Sequence, residues 1–532
     1  MLQSITNFLT SEHARTTLAV FSAMFCIAAV SFTALLTLRS PMLSRTRYRI
    51  LFLFPVFFLV AIGAILLYQA TWQLAGFKSR EFVRSMERHN PRTDNAAGKL
   101  IRGAIFDRNG KILAETDPTA KGLRDYPYGS ATAHIVGFRH PEEGLTGLEN
   151  AADFLLSGYM PEGESALKKI SSSELHSSRD VRHVGTNLVL TLDADLQSYA
   201  HMLMEGRKGA VVAIDPRDGA IRILLSSPSF DPNSYYRALN IDPNSPLLNR
   251  ALHGRYPPGS TFKIAIAGLA VERGIPLNIY CPAEGYYPPG ARRPIRDHEY
   301  YAYERRGQKW PGFGMLDLDT AFAKSSNSYF ANAGVRSGIV GFNNMADRLR
   351  FNSRIPIYVG TNGVVSSQVG NVPKLGAGER RELSQLSIGQ GRLTTTPLHM
   401  AMMVAAIANN GQMLKPRIAE SDPVEDYGML FSPVTARRVK QAMRRAITSG
   451  TGRQADIPGL EVCGKTGTAQ NPGGEDHAWF VCFAPRENPT IVIVVIVENA
   501  GFGSAAALPV AAALLKENAA NEKVLENRED AR

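Results

Sequence analysis

In Pro257-Pro258-Gly259-Ser260-Thr261-Phe262-Lys263 a helix breaker runs straight into a helix start. Two prolines and a glycine cannot continue a helix, so Ser260 is the natural N-cap or first-turn residue. The apolar run from Phe262 to Arg273 predicts a buried helix. Helical positions three apart share a face, which lays Lys263 over Ser260. A lysine can take the serine proton only when neutral. From an ordinary pKa of about 10.4, burial and a neighbouring cation must bring it down. Ser260 at a helix start also sets backbone N–H groups where an oxyanion would form.

Two further motifs follow in order. Ser325-Ser326-Asn327 contains the one S-x-N of the chain, and Lys465-Thr466-Gly467 is its one K-T-G. In an extended loop Ser325 and Asn327 face the same way, the serine to relay a proton and the amide to hold a carbonyl. Taken alone, the same residues also read as a helix cap before Tyr329. Lys465 to Thr468 predicts a strand edge. There the Lys465 ammonium and Thr466 hydroxyl suit a carboxylate, Gly467 admits substrate backbone, and the Thr468 N–H is a second oxyanion donor. Lys465 is also the candidate cation that lowers Lys263. His477 opens the returning strand His477 to Ala484 and reads as structural, since Lys263 already supplies a base. S-x-x-K recurs at Ser165 to Lys168, without the breaker-then-helix context.

The 532 residues allow two or three domains, and 44% hydrophobic with 20% charged residues is ordinary for a folded protein. The net charge of +11 comes largely from scattered arginines, which leaves no nucleic-acid footprint. The four cysteines form no C-x-x-C and the histidines show no ligand spacing, so no metal site is expected, and the family resemblance set out below implies no cofactor. Cys463 and Cys482 fall on strands expected to pair; a bridge is open, and two buried thiols are the preferred reading.

Residues 17–38 and 51–70 are uncharged and mostly apolar, each near the length of a membrane-crossing helix. The arginine-bearing link 39–50 is assigned to the cytoplasm by the positive-inside rule, with the tail 1–16 and everything after residue 70 outside. A mixed domain over 71–183 follows, with a hairpin expected about Asn109-Gly110. Residues 184–518 form a second domain of α/β (α+β) texture. It has a hairpin between 210–214 and 220–225, a buried strand over 490–498, and helices over 398–409 and 505–518. The segment 519–532 reads as a charged, frayed tail.

The ordered triplet resembles that of penicillin-binding proteins and class A β-lactamases. Outside it, Arg102-Gly-x-Ile105-x-Asp107-Arg108-Asn109-Gly110, Gly144 to Glu149, Ser229 to Asn233 and Gly450-Thr451-Gly452 are similar to the class B penicillin-binding proteins, in a compact, short-pedestal form. The resemblance implies a pedestal (dimerisation-like) domain. It also implies a transpeptidase domain with a five-stranded antiparallel sheet flanked by helices. The implied enzyme is a D,D-transpeptidase of the bacterial inner membrane with its catalytic domain in the periplasm. Ser260, Lys263, Ser325, Asn327 and Lys465 would be catalytic, and Thr466, Gly467 and Thr468 would bind substrate. Implied partners are peptidoglycan stem peptides ending in D-Ala-D-Ala, β-lactams as inhibitors, and a SEDS-type glycan polymerase. The family usually has one anchor where this chain shows two apolar runs. A serine β-lactamase and a non-catalytic sensor or scaffold are the rival readings. No E-x-x-L-N lies between Ser325 and Lys465 to supply a hydrolytic base, and a scaffold has no need of the triplet.

Overall fold

Asn109-Gly110 does turn the chain. In the computed structural model, which describes residues 100–116, 124–140, 144–158, 183–234, 241–471 and 473–530, Gly110 takes φ +81° between strands β1 (Ile105–Phe106) and β2 (Ile112–Thr116). Asp107 secures the turn by accepting the N–H groups of Asn109 at 2.8 Å and Lys111 at 2.7 Å. Strand β3 (Arg124–Asp125) and strand β4 (Leu188–Val189) complete a four-stranded sheet, β4 lying parallel to β1. The chain beyond residue 184 therefore first finishes the small sheet, and the Asp107 carboxylate also accepts the Ala194 N–H at 3.0 Å. Glu149 is fully buried, taking Arg102 Nε at 2.7 Å and Arg124 Nε at 2.6 Å. The apolar runs 17–38 and 51–70, the tail and link around them, the second S-x-x-K and the serine-rich stretch before residue 183 lie outside the described residues.

The next elements alternate strand and helix. The expected hairpin is β5 (Gly209–Ile214) with β6 (Ile221–Ser227). The Ser260 turn leads into α1 (Lys263–Glu272). An excursion follows, of β7 (Ile279–Cys281), α2 (His298–Glu304) and β8 (Gly314–Leu316), and then α3 (Leu318–Lys324) and α4 (Asn327–Ser337). After α5 (Pro397–Ala408) and α6 (Pro433–Ser449), the chain forms β9 (Cys463–Ala469), β10 (His477–Ala484) and β11 (Ile491–Val497). Last comes α7 (Gly503–Asp530), which runs through the segment expected to fray. Ala519-Ala520-Asn521-Glu522-Lys523 holds no glycine or proline, and charge alone does not end a helix of good formers.

The five-stranded antiparallel sheet has the order β6-β5-β11-β10-β9. β11 is central, β-branched and buried at every residue, as a strand covered on both faces must be. Along β10, Trp479, Val481 and Phe483 enter one core while Phe480, Cys482 and Ala484 enter the other. Cys463 belongs to the first core and Cys482 to the second, so the two thiols occupy opposite faces and both are free. Helix α1 is buried from Lys263 to Ala270. A helix apolar on all sides must sit inside, and it carries Lys263 in with it. β9 is the outer strand, and its free edge borders the serine turn.

Candidate active site

Ser260 sits in a 3-10 turn, Gly259–Phe262, that passes directly into α1. Positions three apart eclipse in such a turn, so Lys263 stands beneath Ser260 more squarely than an α-helical start would place it. Three contacts fix the turn. Trp479 Nε1 donates to the Pro257 carbonyl at 3.0 Å, and the Gly259 N–H donates to the Gly389 carbonyl at 3.0 Å. Gly259 has φ +54°, and a Cβ there would lie 2.4 Å from the Thr468 carbonyl oxygen. No other residue permits this approach of turn to strand.

Lys263 Nζ is fully enclosed and donates to the Ser325 carbonyl at 2.6 Å and to Asn327 Oδ1 at 2.7 Å, with Ser325 Oγ at 3.3 Å. Burial brings its pKa down to about 7, against the opposing pull of the Asp297 and Glu299 carboxylates. Of the two causes expected from the sequence, burial is the one that lowers Lys263. Lys465, equally enclosed, is held well below the ordinary lysine value by burial first and by Lys263 second. The two amines sit over an edge-to-face aromatic pair, Lys263 over Phe330 and Lys465 over Phe322, each 5.7 Å from its ring centre.

Ser325 and Asn327 do converge, though not through an extended loop. Ser325 ends α3 in the left-handed region at φ 55°, and Asn327 is the first residue of α4. Between them Ser326 caps α4 by accepting the Tyr329 N–H at 3.1 Å. The capping role thus falls to Ser326, which leaves Ser325 and Asn327 turned toward Lys263. Ser326 Oγ donates to Asp297 Oδ1 at 2.9 Å, and the same oxygen takes the Ser328 N–H at 3.0 Å. Asn327 Nδ2 donates to the Arg296 carbonyl at 3.0 Å, so the amide is oriented from both ends.

On β9, Thr466 Oγ1 lies 2.6 Å from Thr451 Oγ1, and Lys465 Nζ donates to the Thr466 carbonyl at 3.1 Å. Gly467 serves the fold differently from the expectation. A Cβ there would stand 2.8 Å from Thr261 Cγ2 and 3.0 Å from Trp479 Cβ, so its bareness admits the serine turn. The Thr468 carbonyl faces Gly259. In an extended strand the N–H and carbonyl of one residue share an edge, which directs the Thr468 N–H toward the turn as well. His477 Nδ1 accepts the Asn499 N–H at 3.2 Å, a structural bond. Thr451 and Asp297 join the site from outside the three motifs. Gly450-Thr451-Gly452 carried a signal through its resemblance, whereas Asp297 lies in a stretch without pattern. Among the described residues no group of His, Cys, Asp or Glu could hold a metal ion.

Residues 209–517 match the penicillin binding protein transpeptidase domain, and residues 102–173 match the penicillin binding protein A dimerisation domain. The peptidoglycan D,D-transpeptidase PbpA of Mycobacterium tuberculosis is 31% identical over 457 residues, covering 78% of this chain and 88% of that protein. The peptidoglycan D,D-transpeptidase MrdA of Acinetobacter baumannii is 31% identical over 452 residues, covering 72% and 64%. Among solved structures, the ceftriaxone acyl-enzyme complex of penicillin-binding protein A from M. tuberculosis superposes with a TM-score of 0.69 at 27% identity, covering 79% of this chain and 98% of that one. Penicillin-binding protein 2 of Pseudomonas aeruginosa, in complex with WCK 5153, does so at 0.63 and 31% identity, covering 78% and 95%.

Proposed function

Since this chain belongs to the class B penicillin-binding proteins, we propose that it is a D,D-transpeptidase that cross-links peptidoglycan stem peptides and is acylated by β-lactams. The observation that carries the mechanism is the buried Lys263 amine, its pKa brought down to about 7 and its Nζ bonded to both Ser325 and Asn327. Lys263 takes the Ser260 proton as Oγ attacks the penultimate D-alanine carbonyl. The oxyanion faces the N–H groups of Ser260 and Thr468. Ser325 relays the proton to the departing nitrogen, the C–N bond breaks, and the terminal D-alanine leaves. An amine of a second stem then attacks the ester and gives up its proton, which returns to Ser260 Oγ by the same relay. Thr466 holds the terminal carboxylate, whose negative charge on arrival favours the ammonium form of the buried Lys465 beside it.

Helical spans over 17–38 and 51–70 would hold the catalytic domain in the periplasm at the inner membrane, beside a SEDS-type glycan polymerase. The apolar length of the two runs and the arginines between them support this arrangement. The test is fluorescent-penicillin labelling of membranes, wild type against Ser260→Ala, followed by a chase with unlabelled drug. A Ser260-dependent band that survives the chase is the expected result. No band sinks the transpeptidase reading, and a band lost within seconds would mark a β-lactamase.

A further inference from the structure

Pro257 and Pro258 have no N–H, so the chain entering the serine turn has no backbone donor between Tyr256 and Gly259. Tyr256 carries the anchoring instead. Its N–H and its carbonyl both bond Thr395, each at 2.9 Å, and its hydroxyl donates to Glu498 Oε1 at 2.6 Å. Burial, and then the Glu498 charge, raise the tyrosine pKa, so the hydroxyl keeps its proton and remains a donor. Gly254 makes the reach possible, because a Cβ there would stand 2.5 Å from the Tyr256 hydroxyl. Glu498 directly follows β11, and the same Oε1 accepts Arg250 Nε at 2.9 Å. Arg250 is fixed in turn by the Ser245 and Asn244 carbonyls, at 3.1 and 2.9 Å.

The sheet register explains why these groups meet. Trp479 on β10 faces Ile496 on β11, so His477, two residues before Trp479, and Glu498, two beyond Ile496, share one face with them. The Tyr256 ring lies edge-on to His477 at 5.5 Å and to Trp479 at 6.1 Å, and Trp479 is the residue that holds the Pro257 carbonyl. Resting on the transpeptidase reading, we propose that Glu498 is a positioning residue for Ser260: it fixes the Tyr256 ring against Trp479, and so the Pro257 carbonyl from which the serine turn springs. One carboxylate oxygen then does two separable things. As an acceptor for Tyr256 it sets the nucleophile, and as a charge beside Arg250 it stabilises the fold. The base cannot follow a turn that drifts, because Lys263 is locked to Ser325 and Asn327 on the far side. A misplacement of about 1 Å at a reacting atom costs about a hundredfold in rate.

The test follows acylation of the full-length protein in detergent micelles over a range of fluorescent-penicillin concentrations, which separates the limiting rate from the half-saturating concentration. Tyr256→Phe keeps the ring and the Arg250 pair and loses only the hydroxyl. Its limiting rate should fall about tenfold, with the half-saturating concentration within about twofold of the wild type. The pH inflection of the rate should stay in place, since the surroundings of Lys263 are untouched. Glu498→Ala should lose rate and thermal stability together. Glu498→Gln, which keeps an oxygen for Tyr256, should recover most of the rate but not the melting temperature, because the charge beside Arg250 is gone. A Tyr256→Phe rate within about twofold of the wild type overturns the proposal, as does an inflection that moves or a rate that falls in step with melting temperature across the three variants. Should the Glu498 variants fail to fold, Tyr256→Phe decides alone. Failure of the wild type itself to be acylated would instead remove the transpeptidase reading.

Discussion

Thr451 ties the K-T-G strand to the S-x-N corner: its Oγ1 is 2.6 Å from Thr466 Oγ1 on β9, and its N–H donates at 3.3 Å to the carbonyl of Ala323 in α3, two residues before Ser325. If Thr451 donates to Thr466, the Thr466 hydroxyl is left pointing its own proton at an incoming carboxylate. Thr451→Val should lower acylation by penicillin G about tenfold while acylation by its methyl ester changes little, shrinking the preference for the acid. Thr451→Ser should retain the preference. Equal losses for acid and ester would show that Thr451 merely supports the fold.

Acylation should rise with pH through about 7, where burial places Lys263, because only the neutral amine takes the serine proton. Asp297→Asn keeps an oxygen for Ser326 and Ser328 and removes a negative charge that favours the protonated amine. The inflection of the acylation rate should therefore move to lower pH. A pH profile that stays put would separate Asp297 from the base.

Gly259→Ala should abolish penicillin labelling and destabilise the fold by about 1–3 kcal/mol, since φ +54° and the Thr468 carbonyl at 2.4 Å both reject a methyl group. Thermal melting beside the labelling assay checks both parts. A variant that labels at the wild-type rate contradicts the role given to this turn.

Glu149→Gln removes the charge shared by Arg102 and Arg124, side chains 6% and 1% exposed. Breaking a buried pair in this way costs about 3–5 kcal/mol. Urea unfolding should register that loss, whereas penicillin acylation of the folded protein should be unaffected, because the cluster lies in the small domain. A stability change below about 1 kcal/mol would mean that Asp153, bonded to Arg102 at 2.6 Å, takes over.

Much of the architecture was legible locally. The hairpins at Asn109-Gly110 and at 215–219, the β-branched strand β11 and the helix behind Ser260 all follow from turn chemistry and apolar period, properties of residues adjacent in the chain. At the C-terminus the helix through Asp530 likewise follows from local helix propensity. The expected extended loop at Ser325 became a helix-to-helix corner because Ser326 caps α4, a bond that fixes the backbone more strongly than side-chain alternation does.

The candidate chemistry, a serine with a lysine three residues on, a polar corner and a cationic strand, is written locally, because spacing within each motif fixes which side chains share a face. Long-range packing settled which of the two expected causes brings the Lys263 pKa down to about 7: burial does. It also brought Thr451 and Asp297 to the site and gave Gly467 to the serine turn. Desolvation and contact depend on elements that approach from far along the chain. β5 pairs with β11, and Trp479 holds Pro257, so neither the lysine's surroundings nor its partners are written within reach of any one motif.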